Sequence, residues 1–285
     1  MSSTSEPRIV LMVSTYAKVA RFVPLVRQTL EEMWPEHPPL RFLTDGGIDG
    51  ADVIVGRERE FVPLMAEGLA RIREEFPAAT HVFHMLEDHC PLRCCDHVRV
   101  EATMSAALEH TLAAVAFVTY DWPWDLSHGE LQRTGAIYGL SKFDVESFSG
   151  ESIAAVPRTF FRYFQLQPTI WKIDYLIDVL TSAKAQEVTD PWNFEAISYA
   201  HAGQHYVSRY RWPTVHNGFM AQGRVNDKAI AFADRQVAGP LRHALIREAV
   251  GVDSEGLYKL QLTQARARRL IGRVRRRLTM AIGDA

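Results

Sequence analysis

An acidic segment, Leu86-Glu87-Asp88-His89, ends an apolar run at residues 81–86 that indicates a buried strand. Carboxylates at a strand end can hold a divalent cation such as Mg²⁺ or Mn²⁺, because these ions prefer oxygen ligands. Such a cation neutralises the charge that develops on a diphosphate leaving group. The alternative is a solvated turn in which Asp88 caps the backbone before Pro91, and the segment alone does not decide between the two.

Polar side chains also follow the other two predicted strands of the first half, at residues 8–14 and 40–43. In an open α/β sheet, ligands bind beyond the carboxyl ends of the strands. If the three ends converge, hydroxyl and aromatic groups suited to a base or ribose lie beside carboxylates suited to a cation. The candidate residues for binding a nucleotide are therefore Ser14, Thr15, Tyr16, Asp45, Glu87 and Asp88.

A second group of amides, indoles and one carboxylate lies between residues 165 and 195. Buried amides and indoles are costly unless their polar atoms find partners, so such a cluster often lines a polar pocket. Glu195, about one turn inside a helix, could take a proton from a substrate hydroxyl. Equally, the indoles could be core residues and Glu195 a solvated helix residue. The candidate pocket residues are Gln165, Gln167, Trp171 and Trp192.

Strands and helices alternate through the first half of the chain. Apolar runs predict strands at 8–14, 40–43, 81–86 and 114–119, and helical spacing predicts helices at 18–34, 60–76 and 95–112. This alternation predicts an α/β fold with a mostly parallel central sheet covered by helices on both faces. The second half is less regular, with strands predicted near 136–138, 159–164 and 208–212, and helices at 172–183 and from Asp190-Pro191.

The charge is unevenly distributed along the chain. The last 20 residues carry seven arginines and one acid, so about −8 remains on the other 265. The acidic body excludes a nucleic-acid binder, which would carry a basic face. Within 266–282 apolar residues recur at helical spacing among the arginines, which favours binding to an anionic membrane surface. The alternative is a helix that docks on the acidic body.

The compartment can be inferred from the cysteines and the apolar runs. Three crowded cysteines, Cys90, Cys94 and Cys95, fit reduced thiols better than a disulfide framework. Residues 1–7 lack the apolar region of a secretory signal, and no run approaches the roughly 20 apolar residues of a membrane span. We therefore predict a cytoplasmic protein whose tail contacts the inner membrane face.

Four motifs, taken in order, resemble a group of bacterial glycosyltransferase-like proteins of the GT-A fold, in the nucleotide-diphospho-sugar transferase superfamily. The motifs are Leu86-Glu87-Asp88, Pro91-Leu92, Gln167 with Trp171-Lys172, and Pro191-Trp192 with Phe194-Glu195, followed by Asn217-Gly218 and Gly223. The resemblance covers roughly residues 8–225. It implies an inverting transfer of a sugar from a nucleotide diphosphate sugar to a hydroxyl acceptor, such as a polysaccharide or a lipid-linked envelope glycan.

The resemblance also implies roles for individual residues. Glu195 matches the catalytic base, and Asp88 with Glu87 stands where the family's metal-binding Asp-x-Asp lies, although Leu86 occupies the first acidic position. His216 would be an accessory ligand of a Mg²⁺ or Mn²⁺ ion. Residues 1–235 would form the GT-A-like domain, and residues 236–285 C-terminal helices with the basic tail. Two rivals remain: a nucleotidyltransferase on a similar sheet, and an inactive carbohydrate-binding or scaffold protein of the same fold.

Overall fold

The structure, a computed structural model, describes most of the first half of the chain and parts of the second. The described residues are 6–120, 153–155, 166, 168–196, 203–215, 218, 220–221, 224–225 and 229. The strands predicted at 136–138 and 159–164 lie outside these residues, as do the basic tail at 266–282 and three site candidates, Gln165, Gln167 and His216. No helix within the described ranges is long and apolar enough to cross a membrane.

The first half folds as the predicted strands and helices, with one additional short strand, β3 (Val53–Val55), that the sequence does not predict. The elements are β1 (Ile9–Ser14), α1 (Val23–Met33), β2 (Leu40–Thr44), β3 (Val53–Val55), α2 (Phe61–Glu75), β4 (His81–Leu86), α3 (His97–Glu109) and β5 (Ala114–Tyr120). A 3-10 turn, Ala20–Phe22, precedes α1, and a second one, Glu87–His89, directly follows β4. The acidic segment therefore leaves its strand as a tight helical turn.

The second half adds strands to the same sheet. Its described elements are β6 (Ile153–Ala155), β7 (Thr169–Lys172), α4 (Ile173–Ala185), α5 (Pro191–Ala196), β8 (His205–Val215), β9 (Met220–Ala221) and β10 (Arg224–Val225). The predicted helices at 172–183 and from Pro191 are confirmed, whereas the strand predicted at 208–212 extends over eleven residues.

Within the described residues, the central sheet has eight strands in the order β3-β2-β1-β4-β7-β5-β8-β6. Strands β3, β2, β1 and β4 pair in parallel, and β5 pairs in parallel with β8. Strand β7 lies antiparallel between β4 and β5, and β6 lies antiparallel on β8 at the edge. This confirms a mostly parallel sheet and adds an inserted antiparallel strand that the sequence did not predict.

Helices cover both faces of the sheet, as predicted. All six residues of β1 are buried, which is typical of a parallel strand that is covered on both sides. One face packs against α1 and α3 around Trp34, Phe83 and Trp212, while the other packs against α2 and α4 around Leu69 and Leu180. The two cores hold the strands in place, so the sheet determines where the loops at the strand ends begin.

Candidate functional site at the carboxyl edge of the sheet

Strand β1 marks the point where the strand order reverses. The chain leaves β1 towards β2 and β3 on one side and returns to β4 on the other side. Ser14, the last residue of β1, pairs with Leu43 of β2 and with Leu86 of β4, so the three strands end at the same level. In open α/β sheets this reversal creates a crevice beyond the carboxyl ends, where ligands bind.

Tyr16 lies in this crevice among carboxyl groups from three segments. Burial raises the pKa of its phenol, and the negative charges of Glu87, Asp45 and Asp190 raise that pKa further. These three carboxyl groups therefore belong to the electrostatic surroundings of the phenol. The structure thus brings together three predicted donor-site residues, Tyr16, Asp45 and Glu87, and adds Asp190.

Asp45 holds the loop that contains Tyr16. Its Oδ1 accepts a hydrogen bond from the backbone N–H of Ala17 at 2.6 Å. Gly46 and Gly47 follow with φ angles of +139° and +84°, and a β-carbon on Gly47 would lie 3.1 Å from the Ala17 carbonyl oxygen. Glycine therefore allows the turn after β2 to approach the loop after β1 closely enough for this hydrogen bond.

Glu87 begins the turn after β4. Burial raises its pKa to about 8, and the neighbouring charge of Asp88 contributes to the rise. At neutral pH the Glu87 carboxyl is therefore mostly protonated in the ligand-free protein. A protonated carboxyl both donates and accepts a hydrogen bond, so Glu87 can bind a hydroxyl group of a ligand in a way that an ionised carboxylate cannot.

Asp88 is held from two sides. Its Oδ1 lies 2.8 Å from Nδ1 of His89, a contact that becomes an ion pair when the imidazole is protonated. On its other side lies the backbone of Gly218, with a φ of +65°. A β-carbon on Gly218 would lie 2.7 Å from Asp88 Oδ2 and 2.6 Å from its carbonyl oxygen. Only glycine fits against Asp88 at this position.

Strand β8 anchors the chain that follows Asp88. The indole Nε1 of Trp212 donates to the carbonyl oxygen of His89 at 2.8 Å, and the N–H of Leu92 donates to the carbonyl oxygen of Pro213 at 2.8 Å. Trp212 is fully buried and packs edge-on against Trp34. The acidic turn is therefore fastened to the aromatic core on the α1 side of the sheet.

Glu195 connects two parts of the second candidate group, which lies between residues 165 and 195. Its Oε1 accepts a hydrogen bond from the backbone N–H of Leu166 at 2.7 Å. Leu166 stands between the two candidate amides, Gln165 and Gln167. The carboxylate predicted to act as a base thus also ties its helix to the segment that carries the amides.

Helix α5 lies at the carboxyl edge because it packs on the start of α2. The N–H of Phe61 donates to the carbonyl oxygen of Thr189 at 2.9 Å, and the rings of Phe61 and Phe194 meet at 5.7 Å. Asp190 caps α5 by accepting from the N–H of Asn193 at 2.9 Å. Since the Asp190 charge also acts on Tyr16, α5 begins beside the crevice.

Three candidates occupy other positions. Ser14 is buried on the α2 side, where its Oγ donates to Met65 Sδ at 3.1 Å and lies 2.9 Å from His84 Nε2. The Thr15 hydroxyl is buried, with no hydrogen-bond partner among the described residues. Trp171 is a core residue that pairs with Val82 near the amino end of β4. The structure therefore does not place Trp171 with the crevice residues.

Two residues near the crevice are not among the candidates from the sequence. They are Asp190, whose charge acts on Tyr16, and Gly218, which contacts Asp88. The sequence predicts only that a helix starts at Asp190, and it places Gly218 only within the Asn217-Gly218 motif. For Trp192 the structure describes the backbone in α5 alone. No signal in the local sequence predicts that Asp190 approaches Tyr16, because the approach depends on how α5 packs against α2.

The described residues offer an incomplete set of ligands for a cation. No group of three His, Cys, Asp or Glu side chains in the described part of the chain is arranged to hold a metal ion. Mg²⁺ is commonly bound by one or two carboxylates together with the phosphates of a substrate. Asp88 suits such an arrangement by position, so a cation here would depend on the diphosphate for its other ligands.

Comparison with known proteins does not assign the chain to a family. No family model matches the sequence, and no curated protein matches it either. The function must therefore be inferred from the arrangement of Tyr16, Glu87, Asp88 and Glu195.

Proposed function

We propose that the chain is a glycosyltransferase of the GT-A type that transfers a sugar from a nucleotide diphosphate sugar to a hydroxyl acceptor. The observation that carries this proposal is the crevice where the strand order reverses, in which the loop after β1 is hydrogen-bonded to Asp45 and lies beside the end of β4, which Glu87 follows. The mixed, mostly parallel sheet is compatible with this fold, and its crevice is where an open α/β sheet binds a nucleotide.

The donor would bind between the loop after β1 and the turn after β4. The ring of Tyr16 offers an aromatic surface for a base or ribose, and the protonated Glu87 can hydrogen-bond a sugar or ribose hydroxyl. The diphosphate would lie towards Asp88. A Mg²⁺ or Mn²⁺ ion held by Asp88 and the diphosphate oxygens would, when bound, offset the charge on the leaving group.

The acceptor would bind on the α5 side of the crevice, where Glu195 is the proposed base. Glu195 removes the proton of the acceptor hydroxyl, and the resulting nucleophile attacks the anomeric carbon opposite the departing diphosphate. This single displacement inverts the anomeric configuration. The hydrogen bond from Leu166 supports the assignment because it fixes the orientation of the Glu195 carboxylate without adding a positive charge.

A donor screen tests the proposal directly. The purified chain is incubated with a panel of nucleoside diphosphate sugars, with and without Mn²⁺, and both its thermal midpoint and the release of nucleoside diphosphate are measured. We expect at least one donor to raise the midpoint and to be consumed. No stabilisation and no release with any donor would contradict the proposal, and pyrophosphate release from a nucleoside triphosphate would instead favour a nucleotidyltransferase.

A further inference from the structure

His89 faces the Asp88 carboxylate from within the protein. The two side chains are mostly buried, 9% exposed for His89 and 24% for Asp88, and Nδ1 lies 2.8 Å from Oδ1. Oδ1 is shielded from solvent and accepts no hydrogen bond from the described part of the chain. The imidazole is therefore the polar group that faces the inner oxygen of this carboxylate.

The backbone of His89 is itself immobilised. Its carbonyl oxygen accepts from Trp212 Nε1, and the Trp212 indole packs at 5.2 Å from the ring of Phe83 and at 5.5 Å from that of Phe117. These aromatic residues belong to the core between the sheet and α1. The imidazole thus starts from a backbone that the core fixes in place.

Gly218 closes the opposite side of Asp88, since its backbone leaves no room for a β-carbon beside Oδ2. With His89 on one side and Gly218 on the other, the carboxylate has little freedom to rotate. We infer that His89 is a positioning residue, which holds Asp88 in the orientation from which it would meet the donor diphosphate together with its cation. The effect on donor binding rests on the proposed glycosyltransferase function. The restraint of Asp88 by His89 does not depend on that function.

The physical reason is that a carboxylate binds a cation or polar ligand well only when its orientation is fixed beforehand. Polar neighbours that orient such a ligand commonly account for about ten- to a hundredfold in affinity or activity. An unsupported Asp88 could instead rotate towards solvent. It would then have to be reordered each time a donor binds, at a cost in conformational entropy.

Three variants separate positioning from folding. His89→Phe keeps an aromatic ring and removes Nδ1, whereas His89→Ala removes the whole ring. Whichever of the two folds tests the contact between Nδ1 and Asp88 Oδ1. His89→Asn keeps a nitrogen donor close to the position of Nδ1. The control is His81→Asn, which alters a buried histidine at the amino end of β4, the strand that precedes the turn containing His89. There its Nε2 lies 3.2 Å from the Leu112 carbonyl oxygen.

The first measurement needs no turnover. Carbodiimide labelling of carboxyl groups, followed by peptide mass spectrometry, reports how accessible Asp88 is in each variant. We expect His89→Phe or His89→Ala to label Asp88 several-fold faster than the wild type, with His89→Asn and His81→Asn close to the wild type. Unchanged labelling of Asp88 in the folded apolar variants would overturn the inference.

The second measurement uses any donor found active in the screen. We expect the apolar variants to raise the donor KM about tenfold or more, with a smaller change in kcat, and His89→Asn to recover most of the affinity. An unchanged KM would overturn the role in donor binding. If no donor is turned over, the labelling result still decides whether His89 holds Asp88, so failure of the inference and failure of the proposed function are distinguishable.

Discussion

The backbone N–H of Leu166 donates to Oε1 of Glu195 at 2.7 Å, which joins two segments that lie about 30 residues apart in the chain. A glutamine at position 195 could still accept this hydrogen bond through its amide oxygen, but it could not accept a proton. We therefore expect Glu195→Gln to fold and to bind donor normally. Its transfer rate should fall by about a hundredfold or more.

Single-turnover transfer and donor-induced thermal shifts measure the two properties of Glu195→Gln separately. Glu195→Ala serves as the comparison, because it loses both the base and the acceptor for Leu166 and should also unfold at a lower temperature. A Glu195→Gln chain that transfers sugar at the wild-type rate would show that another group is the base.

Asp88 should matter for donor binding more than for stability. We expect Asp88→Ala to weaken donor affinity about ten- to a hundredfold, because the cation that would offset the charge of the diphosphate loses its carboxylate ligand. The matched control is Asp52→Ala, which removes a carboxylate paired with Arg27 at 2.8 Å before the start of β3. Titration calorimetry with an active donor measures both, and equal affinities for the two variants would contradict the role of Asp88.

Gly218 should tolerate no side chain. Alanine at this position would require a positive φ and would also bring its β-carbon within 2.7 Å of the Asp88 carboxylate. We expect Gly218→Ala to lower the free energy of unfolding by at least about 1 kcal/mol and to weaken donor binding. Urea unfolding and thermal shift with donor measure the two effects.

The control for Gly218→Ala is Gly203→Ala. Its β-carbon would lie 2.4 Å from a ring carbon of Tyr175, near the amino end of β5, so it crowds the core without touching Asp88. We expect a comparable loss of stability with unchanged donor affinity. If both variants lost affinity equally, the effect of Gly218 would reflect general destabilisation.

Much of the first half could be predicted because each element carries its own signal. Strand β4 has the predicted bounds, His81–Leu86, since apolar residues predominate in this run and five of its six residues are buried. Strand β7, Thr169–Lys172, could not be predicted, because the sequence assigns Trp171 to a polar pocket and Lys172 to the helix that follows. Its antiparallel insertion between β4 and β5 depends on pairing with distant segments.

The same distinction applies to the site. Asp45 and Glu87 could be predicted because parallel strands that pair in register end at one edge. The approach of Asp190 to Tyr16 could not, since it depends on the packing of α5 against Phe61 in α2. Trp171 illustrates the opposite case, in which an aromatic residue near pocket-like amides is a core residue.

The basic tail at 266–282 should bind anionic membranes. Its arginines attract anionic lipid, and its apolar residues at helical spacing can enter the interface. We expect the full chain to co-sediment with vesicles that contain anionic lipid, but not with zwitterionic vesicles, and a chain ending at Gln264 to lose this binding. Because surface charges are screened by salt, binding should weaken as ionic strength rises. Equal sedimentation of the full and shortened chains would contradict the prediction.

Glu87 should make stability depend on pH. Its pKa is about 8 in the folded protein and about 4.5 in an unfolded chain, so between these values the folded state keeps a proton that the unfolded state releases. The free energy of unfolding contributed by this group therefore decreases as pH rises from about 5 to 8. Glu87→Gln stays neutral throughout, so its stability should exceed that of the wild type increasingly towards pH 8. Urea unfolding at several pH values measures the difference, with the exposed Glu74→Gln as the control. A wild-type curve parallel to that of Glu87→Gln would show that Glu87 is not buried as a neutral acid.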